Sequence, residues 1–521
     1  MPRDILSQIV ERRASDIARL GVSLGVEIPA ERKRALHPFV QQKGVILEVK
    51  RASPSKGDIA PNLDAVQTAL AYQKAGAAAT SVLTESNWFK GSLEDLKKVA
   101  AAVDIAVLRK DFLIYPDEID VAYKCGADAV LLIARILEKE VFAQMLERTA
   151  AFGMTAFVEL RLADDLQKLV EAKKLAGANV PKIVCGVNAR DLKDFSIDLL
   201  TPLGFLEEIK AAMGRGCNVV FESGIRTAQA ASFAGSLGFA GLLLGEAAAR
   251  DTSKAASFVK AFVSGTETPN ALAWKKFTAK IANCRKAKKP LVKICGLTNK
   301  EDALAAADLG ADFLGFVFCE ASPRNASESV VRSVRAALRE KGMAKADNAT
   351  SGPFLVGVVV DTTSEQAKAA LALVKEGLLD YIQLHGERAA KEFFADKENL
   401  SLAHYCAANL SGERGADGLD KIQGLLNLGE PRVLIDAKVG DKVGGTGTQV
   451  AEDLVFEAKK KSPLWLAGGL GADNVWDAIE KYSPEFIDAS SVLEAAPGKK
   501  DLEKLKAFFA EIGAAVAGGA S

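Results

Sequence analysis

Apolar residues along this chain gather into short β-branched or leucine-rich runs roughly thirty residues apart, separated by Ala-, Lys- and Glu-rich stretches of helical periodicity. Runs this short and this uniformly apolar predict strands of a parallel sheet covered on both faces by helices. In the first half they are Val45–Lys50, Thr80–Thr84, Ile105–Lys110, Ala129–Ile133, Thr155–Leu160, Lys182–Val187, Val219–Glu222 and Gly241–Leu244. The second half repeats the pattern with Leu291–Cys295, Phe313–Phe318, Phe354–Val360, Tyr381–Leu384, Leu402–Tyr405, Arg432–Asp436, Leu464–Ala467 and Phe486–Asp488.

Eight strand–helix units occurring twice exceed what a doubly wound sheet usually carries. Neither Val49-Lys50-Arg51 nor Ile294-Cys295-Gly296 opens the Gly-rich turn that such a sheet places after its first strand. The fold class read from the pattern is α/β, two (β/α)8 TIM barrels in tandem, and half of 521 residues is the usual size of one barrel. The expected domains are 1–264 and 290–521, joined by a linker helix over 265–289. The break falls at Ser264–Asn270, and the Lys-rich segment Trp274–Lys289 is expected to connect the halves with a solvated basic face. An amphipathic stretch over Ile5–Leu24 predicts an extra N-terminal helix laid on the first barrel.

Lys and Arg total 67, as do Asp and Glu, so no domain-wide field is available to hold nucleic acid or an anionic membrane. Any anion must be bound locally. No stretch has the length and apolarity of a membrane helix or signal peptide, and a cytoplasmic protein is expected. The seven cysteines are scattered without a C-x-x-C pair and there are three histidines, so neither a disulfide framework nor a metal or other cofactor is expected.

In such a barrel the site lies at the C-terminal strand ends, where alternate strands contribute side chains to one inward layer. The odd strands of the first half end in Lys50, Lys110, Glu159 and Glu222, and Glu48 sits on the same strand face two residues before Lys50. Two lysines and three glutamates pointing inward cost too much desolvation to be mere packing, so they mark a catalytic or binding ring. The sixth strand adds Asn188 and, just beyond it, Arg190 as donors that orient a substrate.

Phosphate binding is the next expectation. Ser223-Gly224 follows the seventh strand and Gly245-Glu246 the eighth, where these barrels offer backbone N–H groups to a phosphate. Gly468-Gly469 and Ser490 occupy the same places in the second half, and the spacing from Gly224 to Gly245 equals that from Gly469 to Ser490. The second mouth carries Cys295 at the end of its first strand and Asp436 at the end of its sixth. A cysteine beside Lys293 and near a phosphate site is expected to have enough thiolate character to take a proton, with a buried aspartate as the acid. The flexible Val443–Gly447 stretch is read as a loop able to close over the ligand.

Several motifs carry a family resemblance. Glu48–Gly57, Leu108-Arg109-Lys110-Asp111-Phe112, Gly186–Leu192 and Glu222-Ser223-Gly224-Ile225 resemble indole-3-glycerol-phosphate synthase. Lys293–Thr298, Ser322-Pro323-Arg324, Gln383-Leu384-His385-Gly386, Gly444–Gly447 and Leu466–Leu470 resemble phosphoribosylanthranilate isomerase. The order is that of the fused bifunctional enzyme of tryptophan biosynthesis.

The resemblance implies that the C-terminal half isomerises N-(5-phosphoribosyl)anthranilate by an Amadori rearrangement, with Asp436 opening the ribose ring and Cys295 removing the C2′ proton. The open-chain product would then cyclise in the N-terminal half with loss of carbon dioxide and water. There Lys110 would be the general acid, with Glu159 and Lys50 assisting dehydration. Glu48, Ser53, Asn188, Arg190 and Glu222 would hold carboxylate and hydroxyls, and Phe112 would wall the anthranilate ring. Ser223, Gly224, Gly245 and Glu246 would cradle one phosphate, and Gly468, Gly469 and Ser490 the other. Arg324 and His385 match isomerase positions and are assigned to substrate contact. The family's Phe-Asp-Trp after the Gly-Gly-Thr-Gly loop is replaced here by Val450-Ala451-Glu452. Partners would be small phosphorylated substrates, with no nucleic acid or membrane, and a monomer is expected. Two rival readings are an aldolase-like Schiff base on Lys50 or Lys110 and a sugar-phosphate sensor that has lost its chemistry in one barrel.

Overall fold

The computed structural model describes residues 5–191, 195–343, 352–411, 415–439, 442–443 and 452–518. Contacts divide the chain into two compact units, Met1–Glu267 and Thr268–Ser521. In the first, eight parallel strands close on themselves: β1 (Gly44–Val49), β2 (Ala79–Leu83), β3 (Ala106–Lys110), β4 (Ala129–Ile133), β5 (Thr155–Leu160), β6 (Lys182–Asn188), β7 (Asn218–Glu222) and β8 (Gly241–Leu244). The pairing of Gly44 with Gly241 through Leu47 with Leu244 shuts the barrel. Its interior is filled by Ile46, Leu108, Leu131, Phe157, Val184, Val220 and Leu243, one inward position from each of seven strands.

The second unit repeats the design with β9 (Leu291–Cys295), β10 (Phe313–Val317), β11 (Phe354–Val359), β12 (Tyr381–His385), β13 (His404–Ser411), β14 (Val433–Val439), β15 (Trp465–Ala467) and β16 (Phe486–Ala489). Pairing of β13 with β14, from Cys406 with Val433 onward, closes it. The sequence pattern placed β13 at Leu402–Tyr405, whereas the strand runs over His404–Ser411. Cys406-Ala407-Ala408-Asn409 has little intrinsic strand preference, and pairing on both sides supplies what propensity does not. The Val443–Gly447 loop expectation falls largely outside the described residues.

The segment read as a solvated linker helix is a helix over Pro269–Lys286 that belongs to the second unit. Its start is fixed by Thr268, whose side chain accepts from Ala271 N, and by Pro269 in the first turn. Trp274, Phe277 and Ile281 recur at helical spacing and are buried. The Trp274 ring packs edge-on against Tyr381 at 5.9 Å and lies 6.2 Å from Trp465, both at the start of barrel strands, so the helix covers the end of the barrel opposite the strand C-termini. Even Lys280 turns inward, pairing with Asp312 at 3.1 Å.

The N-terminal helix forms over Ile5–Leu20. It is pinned by Arg13, which pairs with Asp111 at 3.0 Å, just past the end of β3, and with Glu118. All three are buried, and Arg13 shares with the buried Arg109, 3.3 Å from Asp111 and 3.9 Å from Glu118, the counter-charge that makes two interior carboxylates tolerable.

Candidate active sites

The first barrel opens into a cavity of about 340 Å³ at the C-terminal ends of its strands. β1 ends one residue before the sequence pattern placed its end, so Glu48 joins the ionic ring and Lys50 stands just above it. Lys110 Nζ lies 3.1 Å from a Glu48 carboxylate oxygen and 3.3 Å from one of Glu222, while Lys50 Nζ lies 3.1 Å from the other oxygen of Glu48. β6 leaves room for this ring at Gly186, because any Cβ there would collide with the Glu222 carboxylate and the Phe157 ring. Glu159 completes the layer through a side-chain hydrogen bond with Asn188.

These neighbours separate the acids from one another. Burial pushes the Glu48 carboxyl up, but Lys110 and Lys50 more than offset it and hold it at about 2. Glu222, buried and facing Glu159 as well as Lys110, is pushed up to about 8. Burial also raises Glu159, with Lys110 and Asn188 pulling against it. Burial would neutralise Lys110, yet Glu48, Glu222 and Glu159 outweigh it and keep the ammonium charged. The ring therefore offers one firmly held cation beside Glu222, able to carry a proton near neutrality, and Glu159, whose hold on a proton burial also strengthens.

Ser53, Phe112, Asn188, Arg190, Ser223, Gly224, Gly245 and Glu246 all line the same cavity. Ser223 and Gly224 both have positive φ, 70° and 81°, an unusual conformation for a serine and one that turns backbone toward the cavity. Gly245 precedes the short helix Glu246–Arg250. Arg190 reaches Ser55 Oγ at 3.4 Å. Several lining residues escaped the sequence reading: Ile5, Leu6 and Ile9 of the N-terminal helix, Phe89, and the cations Arg226 and Lys254. Phe89 sits 5.9 Å from Phe112 and under Lys50 Nζ at 5.4 Å, giving the cavity an aromatic wall beside its charged floor. The spacing of Ile5, Leu6 and Ile9 was visible, but an apolar helix face reads as packing until its position over the mouth is known.

The second barrel brings together a different set. Cys295 is 8% exposed at the end of β9 and Asp436 is buried on β14, with His385 Nε2 3.6 Å from the aspartate. Burial pushes the Cys295 thiol up and Lys293 pulls it down, with burial the larger effect, opposite in direction to the thiolate character expected from the sequence. Burial and Lys293 push His385 down to about 4, leaving it neutral. Arg324 is held by both carboxylate oxygens of Glu494, at 2.9 and 2.8 Å, a residue that sequence reasoning missed. Lys500, also missed, bonds the Ser490 carbonyl at 3.0 Å and Glu494 at 3.1 Å. Ser490 Oγ in turn donates to the Cys295 carbonyl at 3.1 Å, tying the end of β16 to that of β9. Gly468 and Gly469 follow β15 with φ of 101° and 69°, and Asn474 Nδ2 fixes the turn through the Gly469 carbonyl at 2.9 Å. Among the described residues no cluster of His, Cys, Asp and Glu is arranged to hold a metal ion.

Comparison with known proteins agrees with this division. The family described as indole-3-glycerol phosphate synthase matches residues 7–262, and that described as N-(5'phosphoribosyl)anthranilate (PRA) isomerase matches residues 292–511. The chain is 32% identical to a multifunctional tryptophan biosynthesis protein of Schizosaccharomyces pombe over 89% of its own length but only 58% of that protein. It is 30% identical to the tryptophan biosynthesis protein TrpCF of Vibrio cholerae, covering 90% of this chain and 86% of that one. It is 40% identical to an indole-3-glycerol phosphate synthase of Mycolicibacterium smegmatis, over 46% of this chain and 88% of the relative. Two barrels, each with its own charged mouth, thus coincide with two matched domains in this order, and the chain belongs to the tryptophan biosynthesis family in which an indole-3-glycerol phosphate synthase domain precedes a phosphoribosylanthranilate isomerase domain.

Proposed function

We propose that the two domains catalyse successive steps. In the C-terminal barrel Asp436 gives a proton to the ribose ring oxygen of N-(5-phosphoribosyl)anthranilate, opening the ring to an iminium. Cys295, as thiolate, takes the proton from C2′; the enolamine tautomerises to the open-chain ketose, carboxyphenylamino-deoxyribulose phosphate. Because burial raises the thiol, the active fraction grows with pH. Arg324 and His385 contact the substrate, and the backbone at Gly468, Gly469 and Ser490 takes the phosphate.

In the N-terminal barrel Lys110 donates a proton to the ketose carbonyl oxygen as the aromatic carbon bearing the carboxylate attacks the carbonyl carbon. The carboxylate leaves as carbon dioxide, restoring an electron pair to the ring. Glu159 then protonates the departing hydroxyl, water leaves, and the Glu159 carboxylate so formed takes the proton lost from C1′ as the indole double bond closes to give indole-3-glycerol phosphate, with Lys50 assisting. Glu48 and Glu222 hold Lys110, and with Ser53, Asn188 and Arg190 hold the substrate; Phe112 packs on the aromatic ring. Ser223, Gly224, Gly245 and Glu246 cradle the phosphate.

The observation that carries this reading is Lys110, an ammonium fixed between Glu48 and Glu222 on the floor of a cavity with an aromatic wall. An acid placed there needs no metal ion to protonate a carbonyl. We further assign the chain to the cytoplasm and to a monomeric state; no helix among the described residues is long and apolar enough to cross a membrane. The test is to add N-(5-phosphoribosyl)anthranilate to the purified, metal-free chain and separate the products by chromatography. Indole-3-glycerol phosphate is the expected product. Accumulation of the ketose contradicts the N-terminal assignment, and no reaction contradicts the C-terminal one.

A further inference from the structure

The second barrel buries a lysine for which the proposed steps have no use. Lys293 is 0% exposed, on β9, two residues before Cys295 and therefore on the same inward face. Its Nζ lies 2.7 Å from Asp488 Oδ2 on β16 and donates to Gln383 Oε1 on β12, which also accepts from the Tyr405 hydroxyl on β13 at 2.9 Å. Three other strands thus commit polar side chains to the surroundings of one ammonium, at the strand position that the charged Glu48 takes in the first barrel. Such an arrangement is a poor device for stability, because desolvating two charges costs several kcal/mol that their attraction barely repays. Above it lies the sulfur. A Cβ at Gly315 on β10 would stand 2.8 Å from both Cys295 Sγ and Lys293 Cε, so thiol and lysine stem close on the same space and only a glycine admits both.

We propose that Lys293 is a positioning residue for the isomerisation, its ammonium held from below by Asp488 and Gln383 so as to stabilise the Cys295 thiolate at the barrel mouth, with Asp488 tempering that charge. This rests on Cys295 as the proton acceptor, but the test below reads the sulfur directly. The other groups that face Cys295 are accounted for: Lys500 from the segment after β16 and Arg324 from the loop after β10 are both tied to Glu494, and Tyr405 on β13 is neutral at working pH. The Lys293–Asp488 pair lies at facing positions of β9 and its neighbour β16.

The experiment is the pH dependence of iodoacetamide alkylation at Cys295 in the full chain, followed by mass spectrometry of the peptide that carries it. Lys293→Met should raise the alkylation midpoint by about one pH unit or more, slowing the reaction about tenfold below it. Lys293→Arg should restore most of the wild-type profile. Asp488→Asn should move the midpoint the other way, because the ammonium then acts on the thiolate unopposed. If Lys293→Met does not fold, the direction in Asp488→Asn decides. A midpoint unmoved in Asp488→Asn, or equal in Lys293→Met and wild type, overturns the proposal. If instead the midpoints shift as stated but Cys295→Ala keeps isomerase activity, the role of Cys295 fails and that of Lys293 toward the sulfur stands.

Discussion

The two barrels use the first strand in the same way with opposite charge. In the N-terminal barrel Glu48 lies beneath Lys50 and binds Lys110 of β3; in the C-terminal barrel Lys293 lies beneath Cys295 and binds Asp488 of β16. A buried carboxylate under the first mouth keeps a neighbouring lysine charged, which suits an acid. A buried ammonium under the second mouth favours a thiolate, which suits a base. One scaffold position thus sets the sign of the field at each mouth, and the residues above take roles that follow from it.

The largest expected effect breaks the first half of that comparison. Lys110→Ala should lower indole-3-glycerol phosphate formation by about two orders of magnitude or more while leaving conversion of N-(5-phosphoribosyl)anthranilate to the ketose within twofold of wild type. Product chromatography distinguishes the two. Next is Arg13→Met, which removes one of the two buried arginines that Asp111 and Glu118 share and leaves Arg109, 3.3 and 3.9 Å from them, as their remaining counter-charge. A loss of about 1–3 kcal/mol in the stability of the first unit is expected in urea unfolding, with the isomerase little changed.

A third prediction sharpens the field under the first mouth. Glu48 has a folded pKa of about 2, below its ordinary value, so its contribution to stability is present above about pH 4.5 and lost as pH falls toward 2. Wild type should lose stability across that window, by roughly 3 kcal/mol from this group. Glu48→Gln should start lower at neutral pH and fall less steeply; parallel curves would show that Glu48 does not feel Lys110 and Lys50 as described. The smallest effect belongs to the N-terminal helix. Ile5→Val removes one methylene from the cavity wall, about 0.8 kcal/mol, so the synthase KM for the ketose should rise about fourfold with kcat nearly unchanged.

Much of this was legible in the sequence because of one physical contrast. Charged residues at the ends of apolar runs, such as Lys110 after Val107-Leu108 or Glu222 after Val219-Val220-Phe221, stand out against strands that otherwise must be hydrophobic. The first mouth was therefore readable almost residue by residue, and the strand alternation gave both barrels. What was not legible depends on neighbours far apart in sequence. Ile5, Leu6 and Ile9 look like any apolar helix face, and only their place over the cavity makes them part of the site. Trp274 and Phe277 were overshadowed by the lysines around them, and their burial against Trp465 depends on the barrel end they cover. The ionisation of Cys295 was misjudged for the same reason: Lys293 beside it in sequence lowers the thiol, but burial on all sides raises it more.

The division of labour between the barrels is tested most directly by a crossed assay with two variants. Cys295→Ala should leave N-(5-phosphoribosyl)anthranilate unchanged yet convert added open-chain ketose to indole-3-glycerol phosphate at the wild-type rate, whereas Lys110→Ala should accumulate the ketose from the same starting substrate. If either variant lost both activities while remaining folded, or kept both, the assignment of one chemistry to each mouth would be contradicted.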